Sequence, residues 1–520
     1  MYKLSFGGAI RSRDYPCRPR GRGRSALGVL LLLAAWGDAL ADQPDVTSPT
    51  ASPVAVASAA DTPAASGAGA TDATGTQANS GAAQSTAGNA VNVREQVGRL
   101  LSPRADLQDY FGRELVDEKA RAGSEGQGRY DPIHGPLVIY GKLYPELDFI
   151  SGSGATHPGD KTVSTLAPAP TGLNLEDHQE LTSSNSRIGM RGSLMLWDDL
   201  KAIYQVETTV NIGGASSLFG SERDTFVGLS SKKYGTIKFG DLDSVYKNLG
   251  SDEAIGFNQV ASGNFVSTNN LAAKAGYGSG SASSFNQRRV DSLYYYPPSI
   301  YGFHFVGQYS PDPGKNQSTN NEFWSYGLRY IKGGFSVAVA QEVHMDAFGG
   351  DPSGALSNIG SSLPKDAPRP QSRDEGNRLT LVYHTSDTAV WSEVGKLEYH
   401  DFGGLDGHFQ RYARISYTFG AEHQFNQRIR AIVTYTHAED GSCELVGGAI
   451  CTTSGLNGSQ YNAGLTYYLY RRQVSVYGLY SVLDNGKSAA YNNLPLSSDT
   501  FGVGERIQQI AAGILVSFAR

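Results

Sequence analysis

A closed, antiparallel transmembrane β-barrel of 16 strands is the fold class this all-β sequence predicts, preceded by a disordered linker and short periplasmic helices. Three observations carry it. The last strand, Ile507 to Phe518, sets Ile510, Ala512, Ile514, Val516 and Phe518 on one face and Gln509, Gly513 and Ser517 on the other. That period of two, ending on an aromatic residue, suits a wall with lipid outside and water inside. The chain also opens on an export signal, and no later stretch supplies the ~20 apolar residues that cross a bilayer as a helix. A barrel needs no such helix, because closure satisfies every backbone hydrogen bond, so a mean hydropathy of −0.33 is no objection.

Taken in chain order, the first element is the signal, residues 1–41. Arg18, Arg20, Arg22 and Arg24 precede an apolar run from Ala26 to Trp36, and Ala39-Leu40-Ala41 supplies the small residues for cleavage after Ala41. Residues 42–90 are Ala, Ser, Thr, Gly and Pro with almost no large apolar side chain. Such a segment cannot bury enough surface to offset chain entropy and reads as a linker. Residues 91–135 carry two helical stripes: Val93, Val97, Leu100 and Leu101, then Leu107, Phe111 and Leu115 after the N-cap pair Ser102-Pro103. They read as a spacer or as a small periplasmic device that tethers, plugs or helps trimerise the barrel.

From residue 136 to 520 the period is two. In the first strand Leu137, Ile139, Leu143, Leu147 and Phe149 alternate with Tyr140, Lys142, Tyr144, Glu146 and Asp148. Fifteen further segments start at Ser184, Lys201, Glu222, Tyr234, Arg288, Gly302, Phe323, Phe335, Asn377, Ala389, His408, Gln427, Gln460, Arg472 and Arg506. Short connections such as Trp197 to Leu200 alternate with long ones such as Ser244 to Gln287, which puts the short turns in the periplasm and the long loops outside.

Composition agrees: 63 Gly, 29 Tyr and 20 Phe against 4 Met fit tight turns and aromatic girdles. A formal net charge of −6 argues against a nucleic-acid binder. Of 3 cysteines, Cys17 leaves with the signal, and the pair Cys443 and Cys451 reads as one loop disulfide in an oxidising compartment. No His pair stands near it to complete a metal site, and no cofactor is expected.

Several stretches together resemble the general porins of Gram-negative outer membranes, the trimeric group with 16-stranded barrels. They are Tyr140-Gly141-Lys142, Ser186-Arg187-Ile188-Gly189-Met190-Arg191-Gly192, Leu200-Lys201-Ala202-Ile203-Tyr204-Gln205-Val206-Glu207, Arg223-Asp224-Thr225-Phe226-Val227-Gly228-Leu229-Ser230, Tyr234-Gly235-Thr236-Ile237-Lys238-Phe239-Gly240, Asp291-Ser292-Leu293-Tyr294-Tyr295, Tyr467-Tyr468-Leu469 and Arg471-Arg472. The resemblance implies an outer-membrane homotrimer, in contact with lipid and lipopolysaccharide and inserted by the barrel assembly machinery, that passes small hydrophilic solutes passively. It implies a third loop folded into the barrel to form an eyelet. Carried over residue by residue, the eyelet wall is Lys142, Arg187, Arg223 and Arg288, with Arg191 on the same face. The loop acids are Asp243, Asp252 and Glu253. Opposed charges across such an eyelet favour polar solutes, and a wall dominated by arginines favours anions modestly. Two departures stand out: Asp241 where the family has Arg, and Ala519-Arg520 after Phe518, the aromatic assembly signal.

Other function classes find less support. Gly486-Lys487-Ser488 imitates the tail of a phosphate loop, but the required first glycine is Ser481 and no helix succeeds it. There is no Gly-x-Ser-x-Gly elbow and no His-Glu-x-x-His pair. The alternatives are a channel selective for one anion or sugar, and an enzyme or adhesin built on a barrel.

Overall fold

The computed structural model describes residues 137–519, with breaks at 161–162, 184–185, 213–216, 253–265, 278–284, 312–319, 348–371, 402–408, 471–472 and 495–499. The signal with Ala39 and Ala41, the linker, the helical segment 91–135 and Glu253 lie outside the described residues.

Twenty strand segments form one antiparallel sheet. In chain order they are β1 (Val138–Leu143), β2 (Glu146–Ser153), β3 (His178–Thr182), β4 (Arg187–Trp197), β5 (Leu200–Val210), β6 (Phe219–Glu222), β7 (Thr225–Ser231), β8 (Gly235–Asp243), β9 (Arg288–Tyr296) and β10 (Phe303–Ser310). Next come β11 (Phe323–Lys332), β12 (Phe335–Met345), β13 (Ser372–His384), β14 (Thr388–Asp401), β15 (Phe409–Gln424), β16 (Ile429–Ala438), β17 (Ser442–Leu445), β18 (Gly458–Tyr470), β19 (Val474–Asn485) and β20 (Arg506–Ala519). Four pairs, β1/β2, β3/β4, β6/β7 and β16/β17, continue each other through a kink, so the wall has 16 staves among the described residues. Closure comes from β20, which pairs with β1 from Tyr140↔Ala519 to Leu143↔Val516 and with β2 from Glu146↔Gly513 to Ser153↔Arg506. Among the described residues the ring of staves is thereby closed.

The first stave was expected as one run and is interrupted at Tyr144-Pro145, because proline has no N–H to give the ladder. Neighbours absorb the break: the Tyr144 N–H donates to Ser186 Oγ at 2.8 Å, and the Pro145 carbonyl accepts from the Ile514 N–H at 3.2 Å. Alternation survives it. Leu137, Ile139, Leu147 and Phe149 are exposed on the outer face, whereas Tyr144, Glu146 and Asp148 are fully buried toward the interior. β20 behaves alike, with Ile510, Ile514 and Phe518 outside and Gln509 and Ala511 inside.

Long loops cluster at one end. The first (154–177), seventh (446–457) and eighth (486–505) interlock there. Ser164 N–H donates to Ser488 Oγ at 2.6 Å, Thr452 N–H to Thr165 Oγ1 at 2.9 Å, and the Glu505 carboxylate accepts from Leu175 N–H and Gly502 N–H, each at 2.6 Å. Cys443 and Cys451 are disulfide-bonded, with Cα atoms 5.7 Å apart. Cys443 lies in β17, a wall extension that sequence reading had placed inside the loop.

Candidate pore constriction

The described residues of the third loop, 244–252, 266–277 and 285–287, lie inside the barrel, and their own side chains dictate that course. Ser244 Oγ accepts the Lys247 N–H at 3.1 Å and so caps α1 (Val245–Asn248), whose Val245 and Tyr246 are fully buried. α2 (Asn269–Ala272) is buried on every side. These short helices carry apolar side chains that the aqueous lumen would not reward, so they press against the inner wall.

That wall is the arc from β10 to β18, and it receives the loop with polar groups matched to its backbone. Gln308 Oε1 accepts from Val245 N–H at 3.2 Å, Ser325 Oγ from Tyr246 N–H at 2.9 Å, and Glu393 Oε2 from Ser251 N–H at 2.7 Å. Arg378 contributes most: Nη1 donates to the Tyr246 carbonyl at 3.1 Å, Nη2 to Asn269 Oδ1 at 2.9 Å, and the guanidinium lies 3.8 Å from the centre of the Tyr246 ring. Arg414 Nη2 donates to the carbonyls of Leu271 and Lys274, and Asn462 Nδ2 to that of Val266 at 3.0 Å. Aromatic rings fill the remaining space. Phe285 stacks on His344 at 4.2 Å, and Tyr277 meets Tyr412 edge-on at 4.9 Å. Gly376 makes room for this, since a Cβ there would stand 2.6 Å from Phe285 Cδ1.

The other arc, β1 to β9, holds the charges read from the sequence. Lys142 and Arg187 are cross-strand partners on the inner face. Glu207, on β5, gathers three neighbours: Arg223 Nε at 2.7 Å, Arg187 Nε at 3.7 Å and the Tyr140 hydroxyl, which donates at 2.8 Å. Gly189 permits that last bond, because a Cβ at this position would lie 2.7 Å from the Tyr140 hydroxyl. Arg191 sits over the Tyr140 ring, 4.7 Å from its centre. Arg288 bridges Asp224 at 2.7 Å and Asp243 at 2.8 Å, and Lys247 reaches the same Asp243 at 2.9 Å. The kink between β6 and β7 allows adjacent Arg223 and Asp224 to bond Glu207 and Arg288 respectively, as a bulge re-aims side chains.

The five wall cations therefore fall on one arc, interleaved with carboxylates. Glu207, Asp224 and Asp243 pair with Arg187, Arg223 and Arg288 and with Lys247 of α1, and Glu146 and Asp148 of β2 face the interior on the same arc. Asp243 is the last residue of β8, at the root of the loop, where it pairs with Arg288 of the wall and Lys247 of α1. Asp252 is buried within the loop, where it accepts from the Thr268 N–H at 3.1 Å, the Thr268 hydroxyl at 2.5 Å and Asn269 Nδ2 at 3.0 Å. It folds the loop rather than facing the solute path. Sequence reading missed Glu207 as the hub and Arg378, Glu393 and Arg414 as loop anchors. Their inward parity on β5, β13, β14 and β15 was the available signal.

The family model described as Gram-negative porin matches residues 137–488 of this chain. The chain belongs to the Gram-negative porin family. This porin is 25% identical over 287 residues to the major outer membrane protein P.IB of Neisseria lactamica, covering 50% of this chain and 79% of that one. It is 24% identical over 327 residues to the P.IB protein of Neisseria meningitidis serogroup B, covering 59% and 89%. Among solved structures it resembles the anion-selective porin from Comamonas acidovorans, with a TM-score of 0.52 at 17% identity over 74% of this chain and 99% of that one, a likeness of fold. Family and closed barrel together make it an outer-membrane channel for small solutes.

Proposed function

We propose that this porin is a general diffusion channel with a mild preference for anions, and that Lys142, Arg187, Arg191, Arg223 and Arg288 form the attractive side of its constriction. One observation carries the reading: the third loop is fastened to the arc β10–β18, while Lys142, Arg187, Arg191, Arg223 and Arg288 share the inner face of the arc β1–β9. Solutes passing between loop and wall meet these cations beside the low-dielectric barrel wall, where their field is screened less than in bulk water. The anion selectivity named for the Comamonas porin agrees with this. Homotrimeric assembly, insertion by the barrel assembly machinery with Phe518 as signal, export by residues 1–41, and a linker and helical segment at 42–135 complete the proposal. They rest on the family and on the sequence patterns.

The test is the reversal potential of the folded protein in planar bilayers under a salt gradient. Anion-side potentials with conductance in triplet steps are expected; cation preference in the unsubstituted protein would overturn the assignment of the wall.

A further inference from the structure

The third loop is held twice, once by the wall and once by the loops of the long-loop end. Over the stretch 269–277, where Arg414 grips the carbonyls of Leu271 and Lys274, the eighth loop adds bonds of its own. Ala490 N–H donates to the Gly276 carbonyl at 2.9 Å, and Lys274 Nζ approaches the Asn492 carbonyl at 3.4 Å. Gly276 is seated closely against both the seventh and the eighth loop. A Cβ there would stand 2.5 Å from the Leu456 carbonyl oxygen and 2.9 Å from the Tyr491 hydroxyl. Tyr491 is almost fully buried, joins Leu271 of α2 in one apolar cluster with Ala438, Leu483 and Ala489, and has the Arg414 guanidinium 5.7 Å from its ring centre. A ring in that place keeps water from the bonds between guanidinium and loop, and so strengthens them.

These outer loops are themselves stiff. Asn485, at the end of β19, clasps Tyr491 twice, accepting its N–H at 2.7 Å and donating Nδ2 to its carbonyl at 3.0 Å. The eighth loop is tied to the seventh through Ser488 N–H, which donates to the Gly455 carbonyl at 2.9 Å, and Gly486 N–H, which donates to that of Asn457 at 2.8 Å. The seventh is in turn cross-linked to the wall. Cys451 in the loop is bonded to Cys443 in β17, and Thr453 Oγ1 donates to the Gly441 carbonyl at 2.8 Å. Both half-cystines pack against the apolar cluster that joins Tyr277 of the third loop to Tyr412 and Leu456. A chain of packed groups thus runs from the disulfide through Leu456 and Tyr491 to Gly276 and Leu271 of the third loop.

We propose that the seventh and eighth loops are the outer jaw of the constriction, with Tyr491 and the Cys443–Cys451 bridge as its positioning groups, so that a dithiol reaching the long-loop end widens the pore. The wall arginines fix where the third loop touches the barrel. They do not fix the loop's height above it, and α2, with four residues, is too short to hold its own shape. Packing from the outer loops supplies that restraint. A cross-link takes freedom chiefly from the unpacked state of the segment it closes, so cutting it favours the excursion in which the jaw lifts. The chemistry is balanced. One thiolate of the dithiol attacks a bridge sulfur, the S–S bond breaks, and the second thiol closes the reagent into a cyclic disulfide. Cys443 and Cys451 are left as two thiols, having gained the two electrons and two protons that the dithiol lost. The inference rests on the reading of the third loop as the constriction.

The experiment records the folded full-length protein in planar bilayers, and in liposomes that swell with neutral sugars of increasing size. Dithiol added on the long-loop side should make upward current excursions at least about tenfold more frequent, the scale of a short covalent loop opened. It should also shift the size cut-off to larger sugars, at an unchanged reversal potential, because the wall cations are untouched. Cys443→Ala with Cys451→Ala should begin in that state and ignore the dithiol. Tyr491→Ala should raise both readouts with the bridge intact, and Tyr491→Phe should match the parent, since the ring rather than the hydroxyl fills the site. Variants that unfold at lower temperature but keep the parent's excursions and cut-off would overturn the proposal, leaving the bridge a role in stability alone. Arg378→Ala is the control. If it widens the cut-off while dithiol and Tyr491→Ala do not, the outer jaw is refuted and the constriction stands; if none of the three widens it, both fall.

Discussion

The two halves of this lumen hold similar residue types for opposite ends. On the arc β10–β18, Arg378, Glu393 and Arg414 are almost fully buried and spend their hydrogen bonds on the third loop. On the arc β1–β9, Arg187, Arg223 and Arg288 keep 15–19% of their side chains accessible and pair with acids of their own wall. The chemistry of the charges is alike; the difference lies in their cover. An arginine under a loop is a fastener, because removing it strands buried carbonyls and a carboxylate. An arginine beside open water is a source of field.

The sharpest way to break that contrast is Arg378→Ala. Glu393, 3.7 Å from the guanidinium, would be left buried beside an unpaired Tyr246 carbonyl and Asn269 side chain. A loss of about 3–5 kcal/mol is expected, concentrated in the loop rather than the wall. Single-channel recordings should show a larger, noisier conductance with little change of selectivity, and proteolysis should cut the third loop. An altered selectivity with a quiet current would mean that this arc also steers ions.

Arg187→Ala with Arg223→Ala probes the other arc. Two wall cations disappear and Glu207 is stripped of its ion pairs. The anion preference read from the reversal potential should fall, while the current stays as quiet as the parent's. Glu207→Gln should do the reverse on a smaller scale. It frees the wall arginines from their counter-charge and keeps a hydrogen-bonding partner for Tyr140, so anion preference should rise without loss of stability. A drop in preference would show that Glu207 is needed to hold the cations toward the solute.

These two arcs were unequally legible. Period-two alternation revealed the staves, since each strand repeats the same inside-outside rule regardless of its partners. The cationic arc was legible by another route: the resemblance carried Lys142, Arg187, Arg223 and Arg288 over residue by residue, and the alternation of the first strand points Lys142 inward as well. The fastened arc was hidden. Third-loop residues such as Tyr277 and Phe285 show no period, and their partners Tyr412 and His344 lie far away in sequence. Asp252 illustrates the limit: a loop acid reads as a lumen charge until its partners Ser267, Thr268 and Asn269 are seen to surround it. The kinks that re-aim Arg223 and turn the chain at Gly441 were silent as well, because a bulge costs one residue and leaves composition untouched.

Lys274 tests whether the fastened loop contributes any field of its own. Its Nζ approaches the Asn492 carbonyl of the eighth loop at 3.4 Å, and enclosure by the barrel pushes the pKa of the ammonium down to about 8. Below that pH the group is charged; above it the loop loses a positive charge, while the wall arginines keep theirs far beyond roughly pH 9. Anion preference should therefore decline slightly between about pH 7 and pH 9. The decline should vanish in Lys274→Gln, which holds the high-pH value throughout. Because this residue stands among the fastened elements, away from the arginine wall, the shift should be the smallest of the set. A pH response that survives the substitution would assign the titration to another group and leave the third loop electrically silent.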